Sequence, residues 1–260
     1  MSSDASTSTT STSEPEKQID TNLQVRFKTE EGKLLLLLPP ESNNGEIENP
    51  TPMTWTEIWQ QLKQRLIAGE KFWQPKTEVE LIAFDRLLDT RQLQEIAEAL
   101  QEEKLQLEKV HTSRRQTAVA AATVGYSVEQ KSISTSLNQN SPEKVQPLAE
   151  PLYLEMTVRS GVEIRHPGTV IVVGDLNPGG SVIADGDILV WGRLRGVVHA
   201  GARGNSKSVI MTLQMEPALI RIAEQVARGP EKPPVQFYPE VAYVVDQSIR
   251  ISRARDFARM

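Results

Sequence analysis

The sequence predicts two domains, a small two-layer α/β unit followed by a short β-helix, and three observations carry that reading. Glycine recurs every six residues in the C-terminal half, at Gly168, Gly174, Gly180, Gly186 and Gly192; Val198 fills the next slot and Gly204 restores the register. Two residues after these positions stand Val170, Leu176, Val182, Ile188, Leu194 and Ala200, so an inward-facing position repeats with the same period. A six-residue unit with one apolar residue and one glycine suits a β-solenoid, whose short strands wind around a narrow core. Glycine is expected at its corners because it reaches positive φ without steric cost. The N-terminal half instead mixes strand-like and helical periods, the pattern of two packed layers.

Residues 1–21 are mostly Ser, Thr and charge. They hold too few apolar groups to offset the entropy of ordering, so a disordered tail is expected, and no secretory leader. Val25 and Phe27 alternate with polar residues, and Gly32 turns the chain into Leu34–Leu38, a hairpin whose second strand reads as buried on both faces. Thr54 and Glu57 have capping-box spacing, and Trp55, Ile58, Trp59, Leu62 and Leu66 then form one helical face. Val79, Leu81 and Ala83 make a short strand. Asp89 or Thr90 caps a second helix with Leu93, Ile96, Ala97 and Leu100 inside, and Leu105, Leu107 and Val110 make another strand. The Ala-rich stretch 117–128 reads as a last small helix or a packed extension. The front domain is therefore placed at 22–128.

Residues 129–151 are rich in Ser, Asn, Gln, Glu and Pro and read as a flexible linker that lets the halves move independently. The β-helix domain is placed at 152–260. Its ladder gives two to three coils at about 18 residues per three-sided coil. So few coils leave strand edges open. Two segments are expected to cover them: a helix from Met215 to Val226, with Met215, Leu219, Ile222, Ala223 and Val226 on one face, and further strand around Val241, Tyr243, Val245, Ile249 and Ile251.

The chemistry is sparse. The net charge of -5 indicates neither a nucleic-acid footprint nor a basic membrane patch. With no cysteine there is no disulfide, thiolate-bound zinc or thiol nucleophile. No apolar run approaches the ~20 residues that span a bilayer, so a soluble, cytoplasmic protein is expected, reaching a membrane only through a partner. His111, His166 and His199 are scattered without metal-ligand spacing, and Asp175, Asp185 and Asp187 beside glycines fit turn chemistry. No phosphate-binding loop is present, and no cofactor or metal is expected. Trp55 and Trp59 read as core. Binding, not catalysis, is the function this points to. Hexapeptide-repeat acyltransferases share the six-residue period but normally have more coils and a catalytic histidine at a subunit cleft; that reading and a purely structural scaffold remain as alternatives.

The back half carries a resemblance as well. Arg159-Ser160-Gly161-Val162, His166-Pro167-Gly168, Gly174-Asp175-Leu176-Asn177-Pro178-Gly179 and Ala184-Asp185-Gly186-Asp187-Ile188 closely resemble the C-terminal domain of the MinC family of bacterial cell-division inhibitors. The likeness continues through Trp191-Gly192-Arg193-Leu194-Arg195-Gly196, Ala200-Gly201-Ala202 and Leu213-Gln214-Met215-Glu216. It spans residues 158–226, and the front half is similar only in its order of elements. The resemblance implies a non-enzymatic inhibitor of septum formation. The front domain would antagonise polymers of the tubulin-like FtsZ. The β-helix would form a homodimer and bind MinD, a membrane-associated ATPase that recruits the inhibitor to the inner membrane face. The family's MinD-facing motif reads Arg-Ser-Gly-Gln, which maps to Arg159, Ser160, Gly161 and Val162, with Val162 departing from the glutamine. Lys28 and Lys33, flanking the hairpin turn, are candidate contacts to an acidic FtsZ surface.

Overall fold

The computed structural model describes residues 24–30, 33–41, 53–69, 73–131, 148–229 and 236–258. The expected tail, the turn at Gly32 and residues 132–147 lie outside them. The front half begins with β1 (Arg26–Glu30) and β2 (Lys33–Leu37) as an antiparallel pair. From β2 the sheet turns parallel, through β3 (Glu78–Phe84), β4 (Gln106–Thr112) and β5 (Ser127–Gln130). The crossovers are α1 (Trp55–Gly69), α2 (Thr90–Glu102) and α3 (Arg115–Val124). Leu34, Leu36 and Leu38 are buried with Val79, Leu81 and Ala83, while Leu35 and Leu37 are half-buried. The leucine run is thus covered fully on its helix side alone, which corrects the expectation of burial on both faces.

Both expected helix starts are present. The Thr54 N–H donates to Glu57 Oε2 at 2.8 Å, and the Glu57 N–H returns to Thr54 Oγ1 at 3.4 Å. Asp89 is the second cap, exchanging bonds with Gln92 at 2.7 and 3.0 Å. The Ala-rich stretch is α3, which stops at Gly125 in the left-handed region (φ 101). The chain then returns as β5, a strand the periodicity did not reveal.

The back half runs through β6 (Ala149–Leu154), β7 (Glu163–His166), β8 (Gly168–Val172), β9 (Ser181–Ala184), β10 (Ile188–Leu194), β11 (Val197–Ala200), β12 (Ile210–Met215) and β13 (Leu219–Ile222). Every second strand pairs in parallel with the same position one circuit later. Leu152, Val170, Ile188 and Ile210 are in register along one ladder, and Ile164, Val182, Val198 and Ile220 along another. Single bridges join Val158, Leu176 and Leu194 on a third side. The six inward positions that follow the glycine ladder, from Val170 to Ala200, are all 0% exposed. Four layers stack where two to three were expected, because β6 precedes the ladder and β12 and β13 follow the 201–208 turn.

The glycines answer to stacking more than to corners. A Cβ at Gly168, Gly174 or Gly192 would run into the carbonyl of Ala149, Met156 or Gly174, main chain of the preceding layer. Within the ladder only Gly174 (φ 149) and Gly204 (φ 91) sit at positive φ. The spacing between paired strands, about 4.8 Å, leaves no room for a side chain aimed along the stack.

The expected helix at 215–226 is absent. That segment finishes β12, makes β13 and folds back as β14 (Gln225–Ala227), antiparallel to β13. Ile220 and Ile222 continue the buried ladder of Val198 and Ala200, so a period of two prevails over a coincidental helical spacing, and Val226 is 56% exposed. The expected closing strands are present: β15 (Glu240–Val245) pairs antiparallel with β12, and β16 (Ser248–Arg253) with β15.

Two sheets result, one of ten strands in the order β1-β2-β3-β4-β5-β7-β9-β11-β13-β14 and one of six, β16-β15-β12-β10-β8-β6. The larger sheet joins the halves, since β5 pairs in parallel with β7. The linker proposed for 129–151 is therefore shorter than its composition indicates: Glu129 and Gln130 belong to β5, and Ala149–Pro151 to β6. Instead of two unattached bodies, the described residues share one hydrophobic cluster.

Candidate partner-binding site

Residues 159–162 leave the buried bridge position Val158 and lead into β7. The Val162 N–H donates to the Arg159 carbonyl at 3.2 Å and closes a four-residue turn whose third residue, Gly161, has φ 83. That is the conformation of a type II turn, which needs glycine at this place. The turn is stacked on an identical one in the next layer, Asn177–Gly180, closed by Gly180 N–H to Asn177 O at 3.0 Å with Gly179 at φ 81. Gly161 N–H donates across to Gly179 O at 2.9 Å.

Arg159, Ser160 and Gly161 are exposed and Val162 is buried at 7%. Among the described residues no group bonds the Arg159 guanidinium. The stacking places Arg159, Asn177 and Arg195 in one column, since they follow the bridged Val158, Leu176 and Leu194. Arg195 donates to Asn177 Oδ1 at 2.6 Å, and Arg193 lies one residue before Leu194. Asp175 offsets part of this charge. The Arg193 N–H at 2.8 Å is the main cause that holds its carboxyl below the usual range, supported by the Arg193 guanidinium at 2.9 Å. The site is thus a rigid turn with an arginine edge, suited to an acidic protein surface. Stacking puts Arg195 in the column of Arg159, with Arg193 two residues before it, and a linear motif does not show this.

The lysine candidates stand elsewhere. Lys28 pairs with Glu30 at 3.2 Å, and Lys33 Nζ reaches Glu80 Oε1 at 2.6 Å, both at the far edge of the ten-stranded sheet from Arg159. Glu80 also binds His111 Nε2 at 2.7 Å. Burial pushes its carboxyl up, but the bonds from Lys33 and His111 together hold it below the ordinary range. This network crosses neighbouring strands, so no spacing in the sequence marks it. His166 is 1% exposed between Gln130 and Glu150, and His199 Nε2 lies 3.1 Å from the Ala223 carbonyl; burial lowers both. Asp185 pairs with Arg203 at 2.8 Å and Asp187 Oδ1 accepts the Val209 N–H at 3.0 Å, both local bracing. Among the described residues no group of three His, Asp or Glu is placed to hold a metal ion.

The stacked layers present an exposed arginine turn, and the comparisons give a chain of this build a family. Residues 152–254 match the family model described as septum formation inhibitor MinC, C-terminal domain. A septum site-determining MinC protein of Gloeobacter violaceus is 49% identical over 237 residues, covering 91% of this chain and 81% of the relative. A second, from Nostoc sp., is 58% identical over 245 residues, covering 94% of this chain; the chain spans 66% of that relative's length. A solved MinC:MinD cell division protein complex of Aquifex aeolicus aligns with 43% of this chain and 91% of its own, at 37% identity and a TM-score of 0.39. The chain belongs to the MinC family of septum site-determining proteins.

No helix among the described residues is long and apolar enough to cross a membrane.

Proposed function

We propose that this chain is a non-enzymatic cell-division inhibitor that blocks misplaced septa by antagonising FtsZ assembly and is positioned at the membrane by MinD. Family membership across nine-tenths of the chain is the observation that carries this reading. The back half serves as a short β-helix, the interpretation supported by parallel ladders repeating once per circuit. Its turn Arg159–Val162 takes MinD, supported by the exposed Arg159 and by the column Arg159, Asn177 and Arg195 that the stacked layers form. The front half acts on FtsZ, with Lys28 the more available of the two lysines because its partner Glu30 is itself exposed, whereas Lys33 is held at shorter range by the buried Glu80.

The dimer forms through the outer face of the six-stranded sheet. Tyr153, Ile171, Leu189 and Met211 stand side by side on four neighbouring strands, and Trp191 beside them is 66% exposed. An apolar row of this kind marks an interface. Two front halves per dimer would then meet a filament that repeats its binding site, so weak contacts gain from effective concentration.

The test is sedimentation of FtsZ polymers with GTP. Addition of the chain lowers the pelleted fraction, and vesicles bearing ATP-loaded MinD lower the chain concentration needed. An unchanged pellet at all ratios contradicts the proposal.

A further inference from the structure

The joint between the halves adjoins the partner motif and touches it at Gly161. Val128 of β5 and Ile164 of β7 are in register and both 0% exposed, and Glu129 stands opposite Arg165. The Ser127 hydroxyl, from the front half, accepts the Glu163 N–H at 3.1 Å and donates to the Gly161 carbonyl at 3.5 Å. Lys109 reaches Glu163 at 3.4 Å, and Arg115 on α3 reaches Glu150 at 3.4 Å and the Pro151 carbonyl at 3.3 Å. The His166 ring sits between Gln130 Oε1 at 3.1 Å and the Glu150 carbonyl at 2.9 Å. This is a built seam, with strand pairing, shared core and satisfied polar groups.

We propose that the pairing of β5 with β7 is a closed state of the chain that competes with partner binding at Arg159–Val162. The inference rests on the MinD reading of that turn. In the closed state the first half of the motif, Arg159 and Ser160, faces solvent. The second half is engaged through its main chain: the carbonyl of the exposed Gly161 is bonded to Ser127, and the following N–H of Glu163 is taken by the same hydroxyl. A partner covering the whole turn meets Ser127 of β5 at the Gly161 carbonyl and competes with it there. The seam is suited to opening, because the two strands are four residues long and share two register pairs. Binding that selects the open state is weakened by the fraction of chain that is closed, and by linkage the partner then favours release of the front half.

The chain has no cysteine, so one engineered disulfide reads the seam without interference. Glu129 and Arg165 are register partners on adjacent strands, about 5 Å apart at Cα, within disulfide reach. The double variant Glu129→Cys/Arg165→Cys in the full chain should oxidise to an intrachain disulfide at least tenfold faster than Glu129→Cys/Glu224→Cys, whose second site lies at the far end of the sheet. The oxidised chain should bind ATP-loaded MinD on vesicles at least tenfold more weakly than the same chain after reduction. Hydrogen exchange on the unsubstituted chain gives an independent readout: residues 126–131 and 162–166 should exchange slowly alone and faster with saturating MinD. Equal cross-linking rates, or an interchain product, overturn the closed state. Equal affinity of oxidised and reduced chains, or exchange unchanged by MinD, overturns the competition. If neither the reduced nor the unsubstituted chain binds MinD, the partner reading fails and the competition with it, while cross-linking and exchange in the free chain still decide the closed state.

Discussion

At Gly192 a single methyl group would collide with the carbonyl of Gly174 in the layer beneath, and the obstacle is main chain that cannot rotate away. Gly192→Ala is therefore expected to cost about 3 kcal/mol, the scale of severe overpacking. Gly204→Ala has open space around its Cβ and carries only the strain of its positive φ, so it should cost roughly 1 kcal/mol. Urea denaturation of the two variants checks the order; an equal loss would contradict the stacking explanation. His166 makes a second residue-scale prediction. Burial holds its imidazole below the ordinary value of a free histidine, opposed by the bond to the Glu150 carbonyl and aided by Arg115 on α3. The unfolded chain takes up this proton near pH 6.5 and the folded chain only at lower pH. The associated stability is present above that value and is lost as pH falls through the window below it. On moving from pH 7.5 to 5.5, the wild type should lose more stability in urea than His166→Gln, which keeps a hydrogen-bonding side chain but does not titrate. Equal losses would count against it. The other charges near this ring, Arg115 and the Glu150 carboxyl paired with it, are common to both proteins.

At the scale of elements, local rules located most of the chain and failed where a distant strand decided the outcome. Capping chemistry at Thr54 and Asp89 marked both helix starts because a cap is a contact three residues long. The inward ladder from Val170 to Ala200 was legible because each repeat meets only its neighbours. Residues 215–226 satisfied a helical period on paper. A free parallel edge at β11 offered Ile220 and Ile222 a continuous ladder instead, and that pairing lies outside any local window. The same limit hid β5, four residues whose placement depends on β4 and β7 together. It also hid buried Arg86, which donates to the carbonyls of Pro39, Met53 and Pro40. Of the candidate site, the Arg159–Val162 turn was legible by resemblance and by its glycine. Its arginine column was not, because Arg195 reaches Asn177 only through stacking.

For the whole molecule, the apolar row from Tyr153 to Met211 and the exposed Trp191 predict how two copies meet. Trp191→Asp adds a charge to a face that is already open in the monomer. It should leave folding stability within about 0.5 kcal/mol, as for most surface substitutions. At a dimer interface the same change buries an unpaired charge, so association should weaken at least tenfold in sedimentation equilibrium. A wild-type chain that sediments only as a monomer at micromolar concentration would refute the dimer, and an undiminished Trp191→Asp dimer would refute this face.

The central claim, that the exposed turn makes this chain a MinD-positioned inhibitor, is tested most directly by one paired measurement. Wild type and Arg159→Ala are titrated against vesicles carrying ATP-loaded MinD, and the bound fraction is read by co-sedimentation. Truncating a central charged contact costs about 2 kcal/mol, near thirtyfold in affinity. Arg159 is exposed and its loss opens no cavity, so the thermal midpoint should not move. The account predicts nucleotide-dependent binding of wild type, a loss of about thirtyfold in Arg159→Ala, and equal folding stability. Equal affinity of the two proteins for MinD would contradict it.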